Sequence, residues 1–236
     1  VAAGTNHTAP ASKTCAVTVS FLENNFADND WSAIIAACHS SSVPSTWVVG
    51  NSKPMTIGGK SYQVDIIGKN HDTYANGGKA PLTFQLHDCY GETKDMNSSN
   101  TNSGGWTSCA MRSTHLPAIL ALMPTEVQNG IREVNKLTSA GSQSSTINTT
   151  PDKLFLLSEI EIFGSVTYSK SGEGTQYDYY KAGNSKVKKF NGSAYSWWER
   201  SPYGSYSTYF CYVAGDGSAG CDYASGAIGV AFGFCF

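Results

Sequence analysis

Few residues in this chain are suited to acid–base, nucleophilic or metal chemistry, and their spacing weakens most of those uses. There are five histidines, His7, His39, His71, His87 and His115. None sits in a G-x-S-x-G or other strained nucleophile setting, and His71-Asp72 and His87-Asp88 are adjacent pairs in turn-like sequence. Glu159 and Glu161 stand two apart in what reads as a strand, so they share a face and form a carboxylate pair suited to acid–base work. The alternative is one structural acid, paired with an arginine or a backbone amide, and one solvated acid. The seven cysteines, at 15, 38, 89, 109, 211, 221 and 235, show no CxxC or CxxxxC spacing and no histidine in ligand register, which argues against zinc. Their odd number in a long chain points to buried thiols folded in a reducing compartment, with room for one bridge. Gly-Gly pairs at 58, 77 and 104 lack both the Lys-Ser/Thr of a phosphate loop and the GxGxxG spacing. These patterns assign no catalytic residue, metal or cofactor.

The elements that must position these residues belong to a chain of 236 residues with net charge −2, of which only 14% are charged. Abundant Gly, Ser, Thr, Asn and Tyr suit a loop-rich, strand-containing α+β domain and exclude an all-α bundle. No apolar run approaches the roughly 20 residues of a bilayer-spanning helix, and the charge balance lacks the footprint of a nucleic-acid binder. Neither membrane insertion nor a nucleic-acid partner is expected. Val-Ala-Ala-Gly at the start carries neither the basic nor the apolar region of a signal peptide.

Residues 1–13 read as a linker or tail, and TCAVTVSF at 14–21 as the first strand of a single domain running to 236. Helical spacing of Trp31, Ile34, Ile35 and Cys38 predicts a helix from Asp30, capped by Asn29 or Asp28. MTIGGKSYQVDIIG at 55–68 predicts two strands around a Gly-Gly turn, and LTFQL at 82–86 a third. LPAILALMPTEVQNGIREVNKL, from Leu116 to Leu137, predicts helix broken at Pro124 with Thr125 capping the second piece. A surface loop is expected at 139–152, two short strands at 154–164, and a long polar excursion at 165–192. At the C-terminus Ile228, Val230, Phe232, Phe234 and Phe236 alternate with Gly229, Ala231, Gly233 and Cys235. That pattern predicts a buried strand with one bulky face and one closely approached face, most simply paired with the strand at 14–21.

Three blocks carry a resemblance: IIGKNHDTYANGGKAPLTFQLHD at 66–88, MNSSNTNSGGWTSCAMR at 96–112, and WWERSP at 197–202 followed by GVAFGF at 229–234. In order and spacing they resemble the bacterial and phage C-type-lectin-like domains related to formylglycine-generating enzymes, over roughly residues 45–236. The resemblance implies a C-type-lectin-like α+β fold with paired N- and C-terminal strands, two helices and long loops, and a ligand-binding face near the C-terminal segment. The EPN/QPD and WND motifs of animal lectins are absent, so calcium-dependent sugar binding is not implied; nor is oxidase chemistry, since no cysteine pair stands in the enzymes' context. Trp106, Trp197 and Trp198 are expected as props in the core. Arg112 and Arg200 are expected to fix loops through bidentate bonds, the alternative for Arg200 being a solvated side chain.

From Ser201 to Phe236 there is no Lys, Glu, Gln, Met or Trp, and no Asn after Asn191. Under uniform composition the first absence alone would arise on the order of once in a thousand trials. Lectin-like domains of this kind serve as variable proteins of diversity-generating retroelements, in which template adenines are randomised; an AAC or AAT codon so treated never yields those five residue types. The resemblance therefore marks 201–228 as a variable binding segment. Its candidate ligand-binding positions are Tyr203, Ser205, Tyr206, Thr208, Tyr209, Tyr212, Ala214, Asp216, Ser218, Cys221, Asp222, Tyr223 and Ser225. Phe210, Val213, Val230, Phe232 and Phe234 would be fixed core. Tyrosine with Ser, Gly and Asp is also the palette of antibody binding loops; the alternative is a set of β turns without a ligand.

The expected partner is a protein or glycan receptor on a host surface, engaged without catalysis or cofactor by a chain that folds in the bacterial cytoplasm and is displayed on a phage tail or bacterial surface. A homo-oligomer is expected, a trimer being one form. A formylglycine-type oxidase or hydrolase using His71, Asp72, Glu159 or Glu161, and a purely structural virion protein, are the competing readings.

Overall fold

Strand-forming sequence dominates because few stretches sustain an apolar helical stripe beyond two turns. The computed structural model describes residues 22–236. The linker at 1–13 and the strand at 14–21 lie outside the described residues. The helices are α1 (Trp31–His39), α2 (Gly105–Ser108), α3 (Leu116–Leu120), α4 (Thr125–Gly130), α5 (Glu159–Phe163) and α6 (Asp178–Lys181). The strands are β1 (Ser52–Ile57), β2 (Lys60–Lys69), β3 (Leu82–Leu86), β4 (Val134–Ser139), β5 (Ile147–Asp152), β6 (Leu154–Phe155), β7 (Lys188–Phe190), β8 (Ser193–Tyr195), β9 (Trp197–Pro202), β10 (Tyr209–Val213), β11 (Ala219–Tyr223) and β12 (Gly233–Cys235). The chain is mixed α and β, with sheet outweighing helix, and has more helical segments than the two expected. None of these helices is long and apolar enough to cross a membrane.

The central sheet has the order β1-β2-β3-β12-β6, every neighbouring pair antiparallel. Gly58 and Gly59, both at positive φ, make the expected turn between β1 and β2. β12 lies between β3 and the edge strand β6, and the expected pairing with 14–21 falls outside the described residues. Phe234 stacks on Phe84 at 5.3 Å, and Phe236 packs on Phe84 and Trp31. On the other face, a Cβ at Gly229 would meet the Cys89 sulfur at 2.6 Å and one at Gly233 the Phe84 carbonyl at 2.8 Å. Those contacts are the close approach that the alternating glycines require.

Four local readings need correction. The α1 cap is Asp30, whereas the Asn29 side chain ties the preceding turn to Glu23, Asn25 and Phe26 carbonyls. Pro124, not Thr125, caps α4. Helix ends at Gly130, and 134–139 pairs with 147–152 as a β hairpin in place of further helix and a surface loop. The misreading follows from inverted polarity: Lys136 and Thr138 face inward while Leu137 is 37% exposed, so the strand's alternation runs opposite to the usual hydrophobic pattern. Lastly, β6 spans two residues and Ser158-Glu159-Ile160-Glu161 opens α5 through a capping box, with Ser158 and Glu161 bonding reciprocally.

The polar interior binds these pieces together. Arg200, fully buried, makes a bidentate pair with Glu161 at 2.5 and 2.9 Å and also donates to the carbonyls of Leu137, Leu156 and Glu173. Lys136 bridges Glu161 and Asp72, each at 2.8 Å. Burial pushes the Asp72 carboxyl up, but the Lys136 ammonium and hydrogen bonds from Lys136 and Thr83 outweigh it and bring the pKa from 3.8 down to about 2. Burial dominates at Glu173, where hydrogen bonds from Ser201 and Ser139 offset only part and the carboxyl rises from 4.5 to about 7. Glu199 is fully buried with neither carboxyl oxygen bonded among the described residues; burial, then Glu159 and Glu173, hold it well above the carboxylate range.

The two signs are opposite. Folded Asp72 releases its proton more readily than the unfolded chain, so its contribution is complete above pH 3.8 and is lost as pH falls to about 2. Folded Glu173 holds its proton more tightly, so its contribution is complete below pH 4.5 and is lost as pH rises to about 7. Thermal unfolding across pH should therefore peak between these windows, with Asp72 contributing about 2 kcal/mol to the acid limb and Glu173 about 3 kcal/mol to the upper limb, to which Glu199 adds with the same sign. Glu173→Gln should shrink the upper limb; a limb of unchanged size in that variant would contradict the assignment.

Candidate functional site

β9 is buried along its whole length and carries the candidate segment. Trp197 and Trp198 are fully enclosed, as is Trp106, and their indole N–H groups donate to the Lys186 and Lys94 carbonyls at 3.0 and 2.8 Å. Arg112, the second expected loop clamp, reaches Asp152 at 2.5 Å and the Thr107 and Pro151 carbonyls, while Trp106 donates to the same Asp152. β10 pairs with β9 on one side and β11 on the other, so 209–223 forms a hairpin at the outer edge of a three-stranded sheet.

Alternation sorts the hairpin's side chains. Tyr209, Cys211 and Val213 share one face with their partners Tyr223, Cys221 and Ala219; Phe210 and Tyr212 share the other with Asp222 and Gly220. Every candidate position from Tyr203 to Ser225 keeps solvent access, whereas Phe210, Val213, Val230, Phe232 and Phe234 are fully buried. Four candidate tyrosines meet. Ring centroids lie 5.3 Å apart for Tyr203–Tyr206, 5.7 Å for Tyr206–Tyr209, 6.2 Å for Tyr203–Tyr209 and 4.5 Å for Tyr209–Tyr223. Tyr206 and Tyr223 are the most open, at 56% and 46% exposure. The Tyr223 phenol beside it, joined by partial desolvation, lifts the Tyr209 phenol from 10 to about 12.

Ser205 and Thr208 lie within the loop that bears these rings, and Ser225 lies beyond Tyr223, bonded through its N–H and hydroxyl to Asn100. Of the remaining candidates only Cys221, two residues from Tyr223 on the same hairpin face, adjoins the ring cluster. Tyr212 faces the opposite side, edge-on to Trp198 at 6.4 Å and closing over Gly220; Asp222 shares that side. Ala214, Asp216 and Ser218 form the hairpin turn, where the Asp216 carboxylate accepts from the Ser218 N–H and hydroxyl. At strand rise, that turn stands about 17 Å from Tyr209. Cys221 is half-buried beside Cys211.

Asn102 is the residue that sequence reasoning missed. It is fully buried, and its amide donates to the carbonyls of Tyr206 and Tyr209, both at 2.8 Å, and of Tyr203 at 3.4 Å. Its side-chain oxygen accepts from the Ser142 N–H, and its own N–H donates to the Ser207 carbonyl at 2.7 Å. Tyr168 adds a second support, with its carbonyl accepting from Gly204 and its ring against Tyr203 at 5.6 Å. The available signal was the Asn-rich run MNSSNTNSGG, whose residue types favour side-chain-to-backbone turns. The bonds gripping 203–209 go to main-chain atoms, so they do not depend on which side chains stand there.

The expected acid–base candidates have structural partners. On helix α5, Glu159 and Glu161 do not share a face, which corrects the strand pairing, and neither is solvated. Glu159 accepts from the N–H groups of Thr167, Tyr168 and Ser169, anchoring the loop under Tyr203, while Glu161 pairs with Arg200 and Lys136. Arg200 is thus a buried clamp and not a solvated side chain. His71 stacks on Tyr177 at 4.0 Å, with burial holding its pKa below the usual value. His39, His87 and His115 bond to the Gly130 carbonyl, Asp65 and Asp95; His7 is outside the described residues. Among the described residues, no group of three His, Cys, Asp or Glu side chains is placed to hold a metal.

Asn102→Ala should leave the Tyr206 and Tyr209 carbonyls short of a donor, cost about 1–3 kcal/mol, and speed amide exchange at 203–209 and 141–144 while β3 and β12 stay protected. Uniform loss of protection would refute a local clamp. No curated protein and no solved structure matches the sequence. Residues 78–235 match a family, and this stretch takes in β3 through β12, the Arg200 network and the tyrosine face. By that match the chain belongs to the family described as Domain of unknown function (DUF6273).

Proposed function

We propose that this chain is a C-type-lectin-like binding domain, related in fold to formylglycine-generating enzymes, that engages a protein or glycan receptor on a host surface through 201–228. In this reading the segment is the variable region of a diversity-generating retroelement product, displayed on a phage tail or bacterial surface after folding in the bacterial cytoplasm. It binds without catalysis or cofactor, and several copies in a homo-oligomer raise avidity.

The observation that carries the reading is how the tyrosine loop is held. Asn102 and Tyr168 grip 203–209 by its backbone, the rings project from that frame, and the core residues beneath are closed to solvent. Such a loop tolerates exchange of its side chains. Tyrosine supplies large amphipathic contact area at low rotamer cost, which suits binding hot spots.

Tyr206→Ala and Tyr223→Ala should each weaken capture on arrays of glycans and bacterial surface proteins about thirtyfold, equivalent to about 2 kcal/mol. Both should melt like the parent, since exposed substitutions cost within about 0.5 kcal/mol. Unchanged capture in both variants, or no capture by the parent on either array, would remove the proposal and favour a virion component without an external ligand. The genetics gives an independent check. The gene and a neighbouring near-repeat should differ within codons 201–228 only where the template has adenine; scattered synonymous differences would contradict diversification.

A further inference from the structure

The hairpin that carries Tyr209 and Tyr223 also places two thiols directly opposite each other. Cys211 on β10 and Cys221 on β11 are register partners. The kind of pairing follows from both ends of the ladder. Beside the turn, the Ala214 N–H donates to the Ser218 carbonyl at 2.7 Å; at the open end, the Ala224 N–H donates to the Thr208 carbonyl at 2.9 Å. Hydrogen-bonded and non-hydrogen-bonded pairs alternate along an antiparallel ladder. Counting inward from either bond makes Cys211–Cys221 a non-hydrogen-bonded pair. At such a site the Cα atoms stand about 4.5 Å apart and the side chains approach closely. That separation lies within the roughly 4.4–6.8 Å that a disulfide spans.

The two sulfurs differ in access. Cys211 is fully buried, whereas Cys221 keeps partial solvent exposure. Burial raises both thiols, and at Cys211 the carboxyls of Glu199, Glu159 and Glu173 and the neighbouring Cys221 raise it further. This asymmetry orders the chemistry, since an external reagent meets Cys221 first.

We propose that Cys211 and Cys221 are a disulfide-forming modification site, closed by a low-molecular-weight disulfide such as oxidised glutathione. The Cys221 thiolate attacks one sulfur of the reagent, releasing one glutathione thiolate and leaving a mixed disulfide on Cys221. Cys211, deprotonated, attacks the Cys221 sulfur and displaces the second glutathione. Two protein thiols are oxidised to one disulfide, and one oxidised glutathione is reduced to two thiols that take up the two protons. The bond crosses the hairpin one non-hydrogen-bonded pair away from Tyr209–Tyr223 and ties the strands that carry them. This inference does not depend on the identity or existence of a receptor.

The test is incubation of the folded, fully reduced chain with oxidised glutathione at mildly alkaline pH, followed by acid quench, alkylation of remaining thiols and a non-reduced chymotryptic map. Trypsin is unsuitable because 201–236 contains no Lys or Arg. The expected result is a Cys211–Cys221 link, with the other cysteines alkylated and slower amide exchange across β10 and β11 than in the reduced chain. In Cys211→Ser, the glutathione should remain on Cys221. A persistent mixed disulfide on Cys221 of the parent chain, a link joining either residue to another cysteine, or alkylation of both in the treated parent would each overturn the proposal.

Discussion

The pairing of Arg200 with Glu161 is the constraint on which the rest of this structure leans. A guanidinium removed from water costs several kcal/mol unless its donors are met, so wherever Arg200 is buried its partners must be drawn in around it. Those partners come from separate stretches of chain: the carbonyl of Leu137 on β4, that of Leu156 after β6, the Glu161 carboxylate on α5, and the carbonyl of Glu173. One side chain thereby fixes β9 relative to the β4–β5 hairpin, the α5 capping turn and the polar excursion that follows. Lys136 extends the fixation through Glu161 to Asp72, which lies beside β3 through its bond with Thr83.

The tyrosine face inherits its geometry from that anchor. Because β10 pairs with β9, the position of the outer hairpin follows from the position of Arg200's strand. Glu159, two residues before Glu161, holds the 167–169 loop by its amides, and that loop in turn accepts the Gly204 N–H. The scaffold is polar and specific where it is buried, while the face above it is aromatic and held by its main chain. Such a division separates the residues that determine the fold from those that meet solvent.

How much of this was legible varied with the kind of signal. Gly58-Gly59, LTFQL and the alternating C-terminus identified β1, β2, β3 and β12 because their apolar residues follow the period of a sheet facing a core. The β4 strand was hidden because its buried side chains are Lys136 and Thr138, polar groups that earn an inward position only through Asp72, Glu161 and Arg200, distant in sequence. The α5 helix is masked by the strand-like alternation of LFLLSEIEIF, although Ser158 and Glu161 carry the spacing of a capping box. Tyr203 through Tyr223 could be singled out by composition, but Asn102, which holds their loop, looked like any other member of an Asn-rich turn.

By itself the sequence determined the strand-rich character, the buried aromatic terminus and the segment whose composition departs from the remainder, because each is a local pattern of residue types. Only the tertiary structure decided that Tyr203, Tyr206, Tyr209 and Tyr223 meet while Tyr212 turns to the opposite face, and that Cys211 faces Cys221. Those outcomes depend on strand register and on bonds between residues far apart in the chain. Local patterns carry no record of either, since a register shift of one residue would exchange every face while leaving the sequence unchanged.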